Sequence, residues 1–216
     1  MTSSRLGTRL ARALLLGSLV SGCALLTKAD PLTPRYFSAE PSGTGPATGN
    51  SVTAVTGDSS VPARELKLGR VTSASYLGER LVFRDSAYEL GFYEERRWTE
   101  KPEAYFRRAL SRALYEQHGF RRVVSGAGPT LDCELVELAE LRSPTHIARA
   151  RANFVLYDSR SVRTEATITV ELPIAAGKEG PAAESVAALA LALTSAVDQI
   201  VRRVSANLDS APSNPG

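Results

Sequence analysis

Apolar positions along this chain fall into two rhythms and one stretch with none, and each predicts something different. From Ala148 onward they alternate. Ala148, Ala150, Ala152, Phe154 and Leu156 are separated by Arg149, Arg151, Asn153 and Val155. Past a turn at Asp158-Ser159-Arg160-Ser161, Val162, Ala166, Ile168, Val170 and Leu172 are interleaved with Arg163, Glu165, Thr167, Thr169 and Glu171. A period of two with one dry and one wet side is the signature of an antiparallel hairpin. The second rhythm is helical. Phe106, Leu110, Ala113 and Leu114 share one face, with Arg107, Arg108 and Arg112 off it. Thr99 offers an N-cap, Pro102 is tolerable in the first turn, and Gly119 stops the helix. Leu189, Leu193, Val197, Ile200, Val204 and Leu208 repeat the spacing in a long last helix opened by Pro181. Residues 39–63, rich in Gly, Pro, Ser and Thr, have no rhythm and predict a flexible segment.

Shorter signals fill the gaps. Arg35-Tyr36-Phe37-Ser38 predicts a first strand, and Leu66, Leu68 and Val71 a second whose alternation Gly69 and Arg70 interrupt. Arg80–Arg84, Tyr88–Tyr93 and Phe120–Val124 predict three more. In Thr130–Arg142, Leu131, Cys133 and Leu135 alternate like a strand, while Leu131, Leu135 and Leu138 fit a helix. The neighbouring strands favour a strand with a bulge near Val136. The fold class is α+β: an antiparallel sheet with two main helices packed on one face. Residues 186–197 of the last helix carry no charge, but twelve residues are too few to cross a bilayer, which takes about 20. They predict packing on the dry face of the sheet, with an apolar excess that suits a partner subunit or a homo-oligomer.

Charge changes the picture only at the N-terminus. The 216 residues hold 26 Lys and Arg against 23 Asp and Glu. Arg5, Arg9 and Arg12 lie in residues 1–22, which contain no acid, so the remainder balances at 23 against 23. A near-neutral chain lacks the basic footprint of a nucleic-acid binder. Those arginines precede a short apolar block, Ala13–Val20, in the order of a secretory signal. Val20-Ser21-Gly22-Cys23 then resembles a bacterial lipobox, which implies cleavage before Cys23 and diacylglycerol on its sulfur. The organisation expected is a signal peptide (1–22), an acylated tether (23–34), a short strand with a flexible segment (35–63), a globular domain (64–208) and a disordered tail (209–216). Ala24, following the cysteine, resembles the outer-membrane pattern of enteric bacteria.

Catalytic chemistry finds no foothold. His118 stands beside Gly119 at a helix end, and His146 sits after the Ser143-Pro144-Thr145 turn, neither in a recognisable catalytic setting. Glu94, Glu95, Glu134, Glu137 and Glu140 read as solvated acids. Gly126-Ala127-Gly128-Pro129 lacks the Lys of a phosphate loop. With Cys23 acylated, Cys133 has no intrachain partner, and one Cys with two distant His gives no metal-ligand spacing. Cys133 reads as a small core residue. No cofactor is expected beyond covalent lipid on Cys23. Tyr76, Leu77 and Trp98 are the partner-binding candidates, Trp98 having the alternative role of stapling the start of the helix.

The order of these features carries a resemblance. Cys23 in a lipobox, Arg35-Tyr36-Phe37-Ser38 after a short tether, Tyr76-Leu77, Leu81-Val82-Phe83-Arg84, Arg97-Trp98-Thr99-Glu100 before the Phe106–Leu114 helix, and the late hairpin follow one another. This resembles the ABC-type transport auxiliary lipoproteins, the PqiC-like family, from Tyr36 to about Leu208. The resemblance implies a non-enzymatic subunit of a lipid-trafficking system in a Gram-negative envelope, partnered by an MCE-domain conduit protein and an ABC transporter or other membrane subunits. It places the protein on the periplasmic face of the outer membrane. A lipid-anchored periplasmic enzyme and an assembly or stability lipoprotein of another envelope machine are the rival readings.

Overall fold

The computed structural model describes residues 32–40 and 64–210, apart from 125, 127, 176, 178 and 179. In chain order the strands are β1 (Arg35–Phe37), β2 (Glu65–Ser73), β3 (Arg80–Arg84), β4 (Gly91–Trp98), β5 (Arg121–Arg122), β6 (Thr130–Leu141), β7 (Ile147–Tyr157) and β8 (Val162–Pro173). Helix α1 spans Pro102–Arg112 and runs into a π-helical turn at Ala113–Gln117; α2 spans Pro181–Ser210. The signal peptide, Cys23 and its tether, the segment 41–63 and the tail 211–216 lie outside the described residues.

Strand β6 organises the sheet. Along one side it pairs with β7 antiparallel over nearly its full length, and β7 pairs with β8 in the same sense. On its other side two short strands share it end to end: β2 runs parallel to Thr130–Leu135 and β3 parallel to Ala139–Leu141. Beyond them β5 extends the first arm, parallel to β2, while β4 and then β1 extend the second. The long hairpins are thus antiparallel as expected, and the short strands add parallel pairings that local patterning does not reveal. Both helices pack on one face, α2 over β7 and β8, α1 over β2 and β6, and they touch each other.

Side-chain size sets the spacing of these layers. β7 turns Ala148, Ala150, Ala152, Phe154 and Leu156 inward, all buried, and α2 brings Leu189, Ala192, Ala196, Val197, Ile200 and Val204 into the same core. Alanines on both the strand and the helix let the two backbones approach closely, and filling them would overpack the interior. Helix α2 is long and apolar enough to cross a membrane by length and composition, once its window is widened beyond 186–197; half of that window is buried within the fold.

The bulge falls where the pattern predicts, between Leu135 and Glu137. An extra residue leaves its carbonyl outside the ladder, and the Tyr76 hydroxyl donates to Val136 O at 2.7 Å. A second irregularity, between Leu68 and Val71, sits at Gly69. A side chain there would collide with the carboxylate of Asp132, which accepts from Arg70 N at 2.7 Å.

Several boundaries differ from the sequence reading. The strand expected at Tyr88–Tyr93 begins only at Gly91, because Ser86 Oγ accepts from the backbone N–H of Tyr88 and Glu89 and holds a turn; it then runs on to Trp98. Thr99 does not cap α1. Lys101 takes that position without a side-chain hydrogen bond, and the Thr99 hydroxyl instead meets the Tyr105 hydroxyl at 2.5 Å. The strand expected from Phe120 to Val124 shrinks to Arg121–Arg122, which pair only with Glu65 and Leu66 at the end of β2. Gly119, at φ +64°, ends the helix where expected. Asp209 and Ser210 still belong to α2, and the Asp209 carboxylate pairs with Arg64.

Candidate functional site

Two of the three partner-binding candidates are interior. Trp98 is 2% exposed and Leu77 is 3% exposed, both within the main core. The Trp98 indole meets the Tyr105 ring edge-on, with centroids 6.1 Å apart, so it pins the start of α1 from within. Neither offers a surface to a partner. Their position explains this: Trp98 ends a strand held on both sides, by Glu79 O through its own N–H and by Phe37 in register. Tyr76 is half-buried, its hydroxyl spent on the bulge. Burial raises its pKa, and the negative charge of Glu137 adds to the effect.

The acids read as solvated include two that are buried. Glu137 and Glu140 are 1% and 3% exposed. Arg84 Nε donates to Glu137 Oε1 at 2.6 Å, while Arg151 and Arg149 approach the other oxygen at 3.4 and 3.9 Å. Glu140 faces His146 at 2.5 Å and Arg96 at 3.6 Å. The Arg96 guanidinium also lies 4.0 Å from the centroid of the Tyr93 ring. Burial raises the Tyr93 pKa, and the Glu140 charge adds to it. Each carboxylate lies beside arginine, three around Glu137 and Arg96 near Glu140, an arrangement that fixes counter-charges in the fold. His146, the one histidine near a buried acid, is thereby a structural partner. His118 is exposed. Cys133 does point inward, at 4% exposure, and burial pushes its thiol up to about 12. Among the described residues no group of three or more His, Cys, Asp or Glu could hold a metal ion.

The surface offers an apolar groove instead. The segment Tyr36–Glu40 lies along the first half of α2 and encloses a cavity of about 540 Å³ with Val186, Ala187, Ala190, Leu191 and Thr194. Leu191 is 59% exposed and Tyr36 63%. An apolar recess rimmed by an exposed aromatic and an exposed leucine suits an apolar segment of another molecule. One signal for it stands in the sequence: Leu191 lies off the buried stripe of α2 yet within the uncharged run 186–197. The other wall, β1, could be placed there only by its parallel pairing with β4.

The sequence from residue 48 to residue 204 matches the family model described as the ABC-type transport auxiliary lipoprotein component. Among solved structures, the fold is similar to protein XCC0632 from Xanthomonas campestris, with 18% identity and a TM-score of 0.60 over 68% of this chain and 86% of that one. It is also similar to an uncharacterized protein, with 14% identity and a TM-score of 0.59 over 80% of this chain and 99% of that one. At such identities these two show a shared fold. No curated protein matches the sequence.

Proposed function

The chain belongs to the ABC-type transport auxiliary lipoprotein component family, and from that premise we propose that it is a non-enzymatic docking subunit of an MCE-type lipid transport system in a Gram-negative envelope. The observation that carries this reading is the family match across residues 48–204. In the proposal, acyl chains on Cys23 hold the domain on the periplasmic face of the outer membrane, where it receives the distal end of the conduit. Each buried methylene contributes about 0.8 kcal/mol, so several chains on one residue make the attachment effectively permanent. A tether over residues 24–34 reaches roughly 35–40 Å when fully extended, which keeps the domain near the membrane surface. The apolar groove between β1 and α2 supplies the contact patch, and the buried Glu137 and Glu140 serve the fold as partners of arginine.

Crosslinking in intact envelopes followed by affinity capture of this protein tests the proposal. An MCE-domain protein is expected among the captured partners. Leu191→Glu, which places a charge on the groove rim without touching the core, is expected to reduce that recovery at least fivefold while leaving the melting temperature within about 2 °C, as surface changes usually do. Capture of components of another envelope machine with no MCE protein would overturn the transport role. Undiminished recovery with Leu191→Glu would overturn the groove as the contact.

A further inference from the structure

Most half-buried cations among the described residues stand beside an acid. One recess gathers a half-buried lysine and two exposed arginines with no acid beside them. Between β2, α1, the π-helical turn and the residues after β5 lies a recess of about 270 Å³, lined by Lys67, Arg107, Ser111, Tyr115 and Arg122 among others, with no Asp or Glu in its wall. Its three cations make no ion pair with a carboxylate among the described residues. Arg107 Nη2 donates to the Val71 carbonyl at 3.0 Å, and Arg122 Nη2 donates to Ser111 Oγ. We propose that this recess is a binding site for a phosphate group.

The framework holds the two arginines. The Tyr115 hydroxyl accepts from Leu68 N at 3.0 Å and donates to Leu66 O at 3.2 Å, which pins the π-helical turn to β2. The Arg122 guanidinium stacks over the Tyr115 ring, 4.5 Å from its centroid, a contact that favours its orientation toward the recess. π-Helical turns recur at functional sites. Two guanidinium groups and an ammonium around one void match an anion with several oxygens, since each Arg can donate two parallel hydrogen bonds and Lys adds a point charge. The Ser111 hydroxyl adds a neutral donor. The volume lies just under the range of roughly 300–1,000 Å³ that encloses a drug-sized ligand. It therefore suits a headgroup or a free ion, with any acyl chains left outside. The shared chemistry is a phosphate carried on a lipid headgroup or free in solution. The site stands on these side chains, whichever transport role the domain has.

Isothermal titration of the full protein, purified in a nonionic detergent at low salt, separates the two sources. One arm uses inorganic phosphate, the other dihexanoylphosphatidylglycerol below its micellar concentration. Saturable one-site binding of at least one probe is expected, weakening as salt is added. Phosphate alone binding would identify a free ion as the ligand; tighter binding of the lipid would identify a headgroup. Arg107→Gln with Arg122→Gln is expected to lower affinity at least tenfold. Arg202→Gln with Arg203→Gln removes the same charge from an exposed stretch of α2 and is expected to leave affinity within twofold. Lys67→Gln, a single change at the same site, is expected to lower it at least threefold even if the double variant folds poorly. No saturable binding of either probe, equal losses in the two double variants, or acetate binding as tightly as phosphate would overturn the site.

Discussion

Cys133 shows how far a single position can be read. Alternation with Leu131 and Leu135 placed it inward, and it is 4% exposed. Its thiol is raised from 9.0 to about 12 by burial first and by the nearby Asp132 charge second. A thiol held in its neutral form contributes its full share of stability below the unfolded value of 9.0. That share is lost as pH rises from there toward 12, by up to about 1.4 kcal/mol per pH unit. Denaturant midpoints between pH 8 and pH 10.5 are expected to fall less steeply for Cys133→Ala than for the natural chain. A maleimide reagent at pH 7.5 is expected to label Cys133 only after unfolding. The glutamates show where such reading stops. Glu137 and Glu140 alternate with apolar Val136, Leu138, Ala139 and Leu141, and nothing local says that Arg84, Arg149, Arg151, Arg96 and His146 converge on them from elsewhere in the chain.

At the scale of elements, what could be read is what repeats within a dozen residues. The β7–β8 hairpin, α1 and α2 came from periodicity, and the β6 bulge from a change of phase near Val136. What periodicity does not carry is the choice of hydrogen-bond partner, near or far. Ser86 moves the start of β4 and Tyr105 takes the Thr99 hydroxyl within six residues, while the parallel placement of β2 and β3 rests on distant pairings such as Leu68 with Leu131 and Val82 with Ala139. The same logic explains Trp98, an edge residue by sequence and a core residue once β1 and β3 flank it. Glu137 ties these elements together, since its partners lie on β3 and β7. Glu137→Gln removes the charge and leaves three arginines facing one another. A fully buried pair broken this way costs about 3–5 kcal/mol; here the arginines are part-exposed, so a loss of about 2–3 kcal/mol is expected in urea unfolding. A change below about 0.5 kcal/mol would mean that the cluster is held by packing alone.

For the whole molecule, the proposed attachment depends on one atom outside the described residues, the sulfur of Cys23. Cys23→Ala is expected to accumulate as an uncleaved precursor or to be recovered free of the membrane after secretion; fractionation with immunodetection distinguishes both from the natural chain, and unchanged anchoring would refute the assignment. The end-to-end seating of β2 and β3 on β6 bears on the same journey. In a chain delivered N-terminus first those two strands come long before Thr130–Leu141, and until then β3 has only β4, and β2 only the two residues of β5, with which to pair. Distant pairings of this kind demand loop closure before they return any stabilisation. If the proposed secretion holds, the topology leaves the leading half without its central strand while that half is threaded through an export pore, and completes the sheet only when the trailing half has come through.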